Sequence, residues 1–238
     1  MNHPAPAPAA AQPAIVRLTA LAALDDASLE HLHDLVGRAR LVPKRRELMR
    51  EGRAVTEPQL IVSGWAARVR LLADGRRQFL GFLLPGDIIG LCRHPKPLAA
   101  STVAALTDVT VCTPPGTGVS PALDAAYALS EALDEAYLFA QITRLGRLNA
   151  QERIADMLLE LNERLALNGM AHNGSFDLPL TQETLSDALG LTPVHVNRML
   201  QTARQSGDFV WKSGRVTLAD PLSLARRIGR APVRVSAG

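Results

Sequence analysis

The sequence predicts an α+β fold: an N-terminal β jelly roll, one long helix, and a C-terminal winged helix-turn-helix. Three observations carry this. Short alternating runs broken by turn dipeptides fill the stretch from about Leu41 to Pro114. Apolar residues then recur at three-then-four spacing from Leu123 onward. Finally, LTQETLSDALGLTPVHVNRML at 180–200 sets a glycine between two short amphipathic runs. The chain divides accordingly into a disordered tail at 1–14, a jelly-roll domain at 15–118, a dimerisation helix at 119–148 and a winged-helix domain at 149–238.

The opening MNHPAPAPAAAQPA has no basic region followed by an apolar run, so it does not read as a secretory signal. No stretch reaches the roughly 18 consecutive apolar residues of a membrane helix. Cys92 and Cys112 are too few for a disulfide framework or a four-thiolate metal site. A cytoplasmic protein away from the membrane is therefore expected. From Ile15 to Val36 apolar residues fall at helical spacing, with Asp25 or Asp26 as caps. His31 and His33 lie two apart and point in different directions on a helix, so both read as surface residues.

In the next stretch, LIVSGWAARVRLL and RQFLGFLL flank ADG, a hairpin signal because Gly75 can take positive φ. Pro85-Gly86-Asp87 marks another reversal, and STVAALTDVTVC predicts a strand pair around Thr107-Asp108. Many short strands at regular spacing imply a barrel or jelly roll. Beyond PPGTGVSP, the residues Leu123, Ala126, Ser130, Leu133, Tyr137 and Ala140 form a seam for a partner helix, best read as a homodimer contact. The competing reading is a helix lying on its own barrel. Asn149 caps a further helix striped by Ile154, Leu158, Leu161 and Leu165, which ends in the loop NGMAHNGS.

Thr181 can cap the first helix of the 180–200 stretch, and Glu183 suits its first turn. Gly190 fits a left-handed turn, Thr192 caps the second helix, and Pro193 sits where a missing N–H costs nothing. Val196, Met199, Leu200 and Ala203 form its buried stripe. Val194, Arg198, Gln201 and Gln205 lie opposite, flanked by His195 and Asn197. Such a helix fits the major groove of double-stranded DNA. Arg198 can donate two hydrogen bonds to guanine, Asn197 can do so for adenine, and Val194 can pack on a thymine methyl. Thr192 and His195 suit backbone or water-mediated contacts, and Thr181 and Gln182 suit phosphate. In FVWKSGRVTLA the Ser213-Gly214 pair predicts a hairpin wing with Lys212 and Arg215 at its tip. From Arg198 to Arg234 eight basic residues face only Asp208 and Asp220, an excess that suits a polyanion.

VSGWAARVRLL, DGRRQ, GFLLPGDIIGL and TQETLSDALGLTPVHVNRML together resemble the Crp/Fnr family of bacterial transcription regulators, over residues 17 to 222. The resemblance implies a cyclic-nucleotide-binding-type sensor barrel, a dimerisation helix and a homodimer on a two-fold operator. RNA polymerase is then a further candidate partner. Two departures matter. Where family members read DNA with an Arg-Glu pair at the start of the recognition helix, this chain has Pro193 and Val194, although the later arginine is kept as Arg198. Where cyclic-nucleotide binders hold the ribose with Glu and the phosphate with Arg-Ser or Arg-Thr, it has Asp87 nearby and Ala100-Ser101.

Cyclic AMP is consequently not expected to bind. The cysteine cluster of iron–sulfur members is absent, and no such centre is expected. Cys92 and His94 fall near the proximal ligands of a haem-binding relative, at a different spacing from the turn; a loop cysteine and a solvent-facing histidine is the preferred reading. Cys112 reads as a core residue, with a Cys92–Cys112 redox switch as the weaker alternative. A cupin-type enzyme needs several barrel histidines, and the barrel stretch holds only His94, so no enzyme is expected. The other alternative is an anti-activator that applies the winged helix to protein; a steep salt dependence of binding would speak for DNA.

Overall fold

The computed structural model describes residues 12–92 and 94–235. Helix α1 (Pro13–Leu21) begins inside the stretch expected to be a tail; residues 1–11 of that stretch lie outside the described residues. Helix α2 (Asp26–Gly37) is capped by Asp25, whose side chain accepts from Ser28 N–H. Eight strands follow: β1 (Arg40–Val42), β2 (Glu47–Met49), β3 (Gln59–Ser63), β4 (Ala66–Leu71), β5 (Arg77–Leu83), β6 (Ile88–Ile89), β7 (Thr102–Ala105) and β8 (Val109–Cys112). They form two four-stranded antiparallel sheets, ordered β1-β8-β3-β6 and β2-β7-β4-β5. This is a jelly roll, with Val42, Ile61, Leu83, Ile89, Val103 and Val111 filling its interior.

The ADG hairpin forms as expected, with Gly75 at φ +86° between β4 and β5. The strand pair expected around Thr107-Asp108 does not form. β7 pairs with β2 and β4, and β8 with β1 and β3, so the short link carries the chain from one sheet to the other. Trp65 C=O accepts from both Leu106 and Thr107 N–H, which fixes the corner.

Helix α3 (Pro121–Arg147) corrects the expected seam. Leu123, Ala126, Ser130 and Leu133 are buried against the chain itself, mainly α1 and the barrel. This helix has apolar residues on more than one face, so spacing alone did not say which one the chain covers. Its exposed large apolar residues are Leu138, Phe139 and Ile142, the last two 59% and 68% exposed. Helix α4 (Ala150–Leu167) starts with a full capping box between Asn149 and Glu152. Its stripe of Ile154, Leu158, Leu161 and Leu165 joins Trp65, Phe79 and Phe82 of the barrel to Leu185, Leu189 and Val196 further along in one apolar cluster. The barrel and the C-terminal region thus share a core.

The loop expected at NGMAHNGS contains a hairpin instead. β9 (Ala171–His172) and β10 (Ser175–Asp177) are joined by Asn173 and Gly174, both at positive φ, and β10 pairs with β12 (Arg215–Leu218). Asn-Gly is the pairing that a primed two-residue turn demands.

Candidate nucleic-acid interface

Helix α5 (Gln182–Leu189) and helix α6 (Pro193–Ser206) form the helix-turn-helix. Thr181 Oγ1 accepts from Thr184 N–H at 3.1 Å, and Thr192 Oγ1 from His195 N–H at 3.2 Å, so each helix starts on its expected cap. Gly190 is left-handed at φ +62°, ψ 38°, where an L side chain is strained even though an added Cβ would meet its nearest neighbour, Arg153, only at 3.7 Å. Leu191 N–H then reaches back to Ser186 C=O at 3.1 Å, closing the turn.

Val196 and Ala203 are fully buried, Met199 and Leu200 half-buried. The opposite face stands in solvent. Val194 is 81% exposed, Pro193, Asn197, Arg198, Gln201 and Gln205 are exposed, and His195 is half-buried at the flank. Fourteen residues at 1.5 Å each make α6 about 21 Å long, enough to lie along a groove. A valine left this open has no role in the chain's own core.

The wing is β11 (Phe209–Lys212) paired with β12, with Lys212 opposite Arg215 and Ser213-Gly214 at φ 52° and 77°. Structure separates the two tip cations. Arg215 forms an ion pair with Asp177 at 3.0 Å, whereas Lys212 is exposed and has no ion pair among the described residues. Of the eight basic residues between Arg198 and Arg234, Arg227 also pairs with Asp208, and Arg230 is buried on Asp156 and Glu163. Counting along the chain therefore overstates the exposed field. Helix α7 (Pro221–Arg227), capped by Asp220, follows the wing and has no counterpart in the sequence reading.

The functional feature that sequence reasoning missed lies between the barrel, α3 and α4. Asp87, read from sequence as near a ribose-holding position, is 1% exposed. Its carboxylate meets Arg17 at 3.0 Å and Arg164 at 2.7 Å, and accepts from Leu84 N–H at 2.7 Å. Burial works against its charge, but the two guanidinium groups and that N–H overcome the penalty and hold it below the usual carboxylate range. From Arg164 the lattice runs to Glu160 at 3.3 Å, to Arg144, and on to Asp156, which Arg144 meets at 2.6 Å and Arg230 at 3.0 Å. Arg164 also lies 4.6 Å over the Tyr137 ring, whose hydroxyl burial pushes up to about 12. Burial and the Asp87 charge together raise Asp134, against the pull of Arg68 at 2.9 Å. Sequence offered no signal for this lattice, because its members lie up to 213 positions apart, from Arg17 to Arg230.

A jelly roll sharing its core with a winged helix-turn-helix, whose second helix presents a polar face, defines a sensor-type DNA-binding regulator. Residues 39–123 match the cyclic nucleotide-binding domain family, and residues 152–227 match the Crp-like helix-turn-helix domain family. Transcriptional activator protein FnrL of Cereibacter sphaeroides is 35% identical over 156 residues, 62% of either chain and so under two thirds of its length. Transcriptional activatory protein AadR of Rhodopseudomonas palustris is 30% identical over 211 residues, 83% of this chain and 84% of that one. The solved structure of FixK2 from Bradyrhizobium japonicum superposes with a TM-score of 0.67 at 26% identity, over 82% of this chain and 99% of that one. The chain belongs to the Crp/Fnr family of transcription regulators.

The family implies a cyclic nucleotide, which requires a cation against its phosphate. The residues here do not fit one. Asp87 is committed to Arg17 and Arg164, Ala100-Ser101 carries no charge of its own, and Arg70, which donates to Ala100 C=O at 3.0 Å, is already paired with Glu51 at 3.0 Å. A cleft of about 690 Å3 beside α3 is lined by Glu57, Asp124 and Glu131 and by no Lys or Arg among the described residues. A phosphate there would lie beside three carboxylates, which oppose its charge. Cys92 and His94 also line this cleft. Cys92 is exposed and its Sγ accepts from His94 N–H at 3.5 Å, while His94 Nδ1 accepts from Lys96 N–H at 3.1 Å. Among the described residues, no group of three His, Cys, Asp or Glu side chains gathers to hold a metal ion. Cys112 is half-buried, which raises its thiol.

Proposed function

We propose that the protein acts as a homodimer on a two-fold DNA operator, with α6 in the major groove and Val194, Asn197 and Arg198 contacting base edges. The observation that carries this is the open outer face of α6. Val194 is 81% exposed beside Asn197 and Arg198, and the Arg198 side chain has no ion pair among the described residues. Thr192, His195 and Gln201 supply flanking contacts. Thr181 and Gln182, at the start of α5 where N–H groups are free, hold phosphate, as Lys212 does at the wing. Arg215 contributes less than Lys212, because Asp177 already neutralises it.

The second copy docks on α3, through Phe139 and Ile142 with Leu138 beside them. These large side chains stay open on a 27-residue helix, about 40 Å long, whose opposite face is already buried. Effector control through cyclic AMP is not part of this reading. RNA polymerase is the further partner that an activator of this family requires, and the cytoplasm is the compartment where DNA and polymerase meet.

Selection from a randomised duplex library tests the proposal. A symmetric motif with half-sites about one helical turn apart is expected. Affinity should fall steeply with salt, with log Kd rising in proportion to log salt. An asymmetric single site, or binding indifferent to salt, would contradict it.

A further inference from the structure

The first helix of the helix-turn-helix is gripped by α3 and β5, from outside its own domain, as well as by α4. The C-terminal carbonyls of α5 are orphan acceptors that need partners. Ala188 C=O accepts from Gln141 Nε2 of α3 at 2.8 Å and from Gln78 Nε2 of β5 at 3.3 Å. Leu189 C=O accepts from Arg153 Nη1 of α4 at 3.0 Å. Along the side of the helix, Arg77 of β5 meets Asp187 at 2.8 Å and Glu183 at 3.1 Å. Gln141 is in turn held by Arg144. The buried Arg144 also bridges α3 to Asp156 and Glu160 of α4, directly across the break at Leu148 and Asn149.

The two ends of this clasp have different jobs under the proposed function. α3 carries the dimer axis, and α5 carries α6. Their relative angle therefore fixes how far apart, and at what relative twist, the two α6 helices of a dimer sit. We propose that Arg144 and Gln141 of α3, with Arg77 and Gln78 of β5, are positioning residues that set the half-site separation this regulator accepts on DNA. None of them touches a base. Each acts by holding α5, and the inference rests on the homodimer reading above. A guanidinium suits the central role because its planar fork can serve Asp156, Glu160 and Gln141 together, which a lysine ammonium cannot do with the same geometry.

The test uses full-length protein on the selected operator and on versions with one base pair inserted or deleted between half-sites, each a change of roughly 34–36° in twist. Wild type should lose affinity on both altered operators. In Arg77→Ala with Gln141→Ala, that penalty should shrink by about fivefold or more, the scale of a typical coupling between sites. Arg144→Met with Glu160→Met removes a cation and an anion together, leaving Arg164 on Asp87 and Asp156 on Arg230, and should behave likewise. Should that core variant fail to fold by circular dichroism, the pair of exposed Arg77 and buried Gln141 decides the matter alone, with single Arg77→Ala as its surface-only counterpart. Arg144→Lys should fall between wild type and the double variant. A merely structural role would weaken binding to all three operators equally. An unchanged spacing penalty in folded, dimeric variants overturns the inference while leaving the DNA reading intact; loss of symmetric operator binding by wild type itself would instead strike the proposed function.

Discussion

The outer face of α6 and the lattice around Asp87 are both rich in polar groups, and they are treated in opposite ways. On α6, Asn197, Arg198 and Gln201 stand in water beside an exposed valine. In the lattice, Arg17, Arg144 and Arg164 are each about 3% to 5% exposed, and each has at least one carboxylate within ion-pair distance. A charge removed from water must find its partner inside the chain. A charge left in water need not, so the side chains of α6 remain available to something outside. The first region presents chemistry, and the second holds the parts that present it.

Breaking the lattice has the largest expected effect. Asp87→Asn strips the counter-charge from Arg17 and Arg164 and should cost about 3–5 kcal/mol, read by urea unfolding. The pH dependence follows from the same residue. Its folded pKa lies below the unfolded value near 3.9, so its contribution is complete above that value and disappears as pH falls through the folded one. Acid titration of Asp87→Asn should therefore lack that component of the wild-type loss. Asp134 acts in the reverse sense. Its raised pKa favours the folded state at low pH and ceases to do so once pH passes the folded value.

Next in size, Phe139→Glu should leave a folded monomer by light scattering and lower operator affinity by about a hundredfold or more, since two linked half-site contacts become one. A dimer of unchanged mass would move the docking surface elsewhere. Gly190→Ala should cost about 1 kcal/mol, because the backbone there is left-handed while the nearest atom to an added Cβ is 3.7 Å away. No loss of stability would mean that the turn relaxes. Smallest of all, Lys212→Ala should weaken binding about evenly across sequences and reduce the salt slope by about 1, whereas Arg215→Ala should change the slope less.

Local chemistry was legible in the sequence, and long-range partnership was not. Thr181, Gly190, Thr192 and Pro193 act within four residues of themselves, and each stands in the structure where its own preferences put it. The Ser213-Gly214 wing turn was readable for the same reason. The Asn173-Gly174 hairpin carried an equal signal, and its glycine-rich surroundings concealed it. Thr107-Asp108 resembled a hairpin, but which strands pair is settled by the closure of the two sheets, a property of the whole barrel. On α3 the heptad spacing was present, but it marked the face that the chain covers itself. The ion pairing of Asp87 was not legible because its partners, Arg17 and Arg164, lie 70 and 77 positions away. Separation along the chain, 38 positions for Arg215 and Asp177 and 74 for Arg230 and Asp156, likewise hid their pairing, so sequence counting gave the DNA face more positive charge than it has.

Whether the exposed side of α6 reads bases is measured directly by position-resolved selection with wild type and Arg198→Ala. Arg198→Ala should lose about 1–3 kcal/mol of discrimination at one symmetry-related pair of positions, with the remaining motif preserved and global stability within about 0.5 kcal/mol of wild type. An identical motif from both proteins, at every position, would contradict base reading by α6.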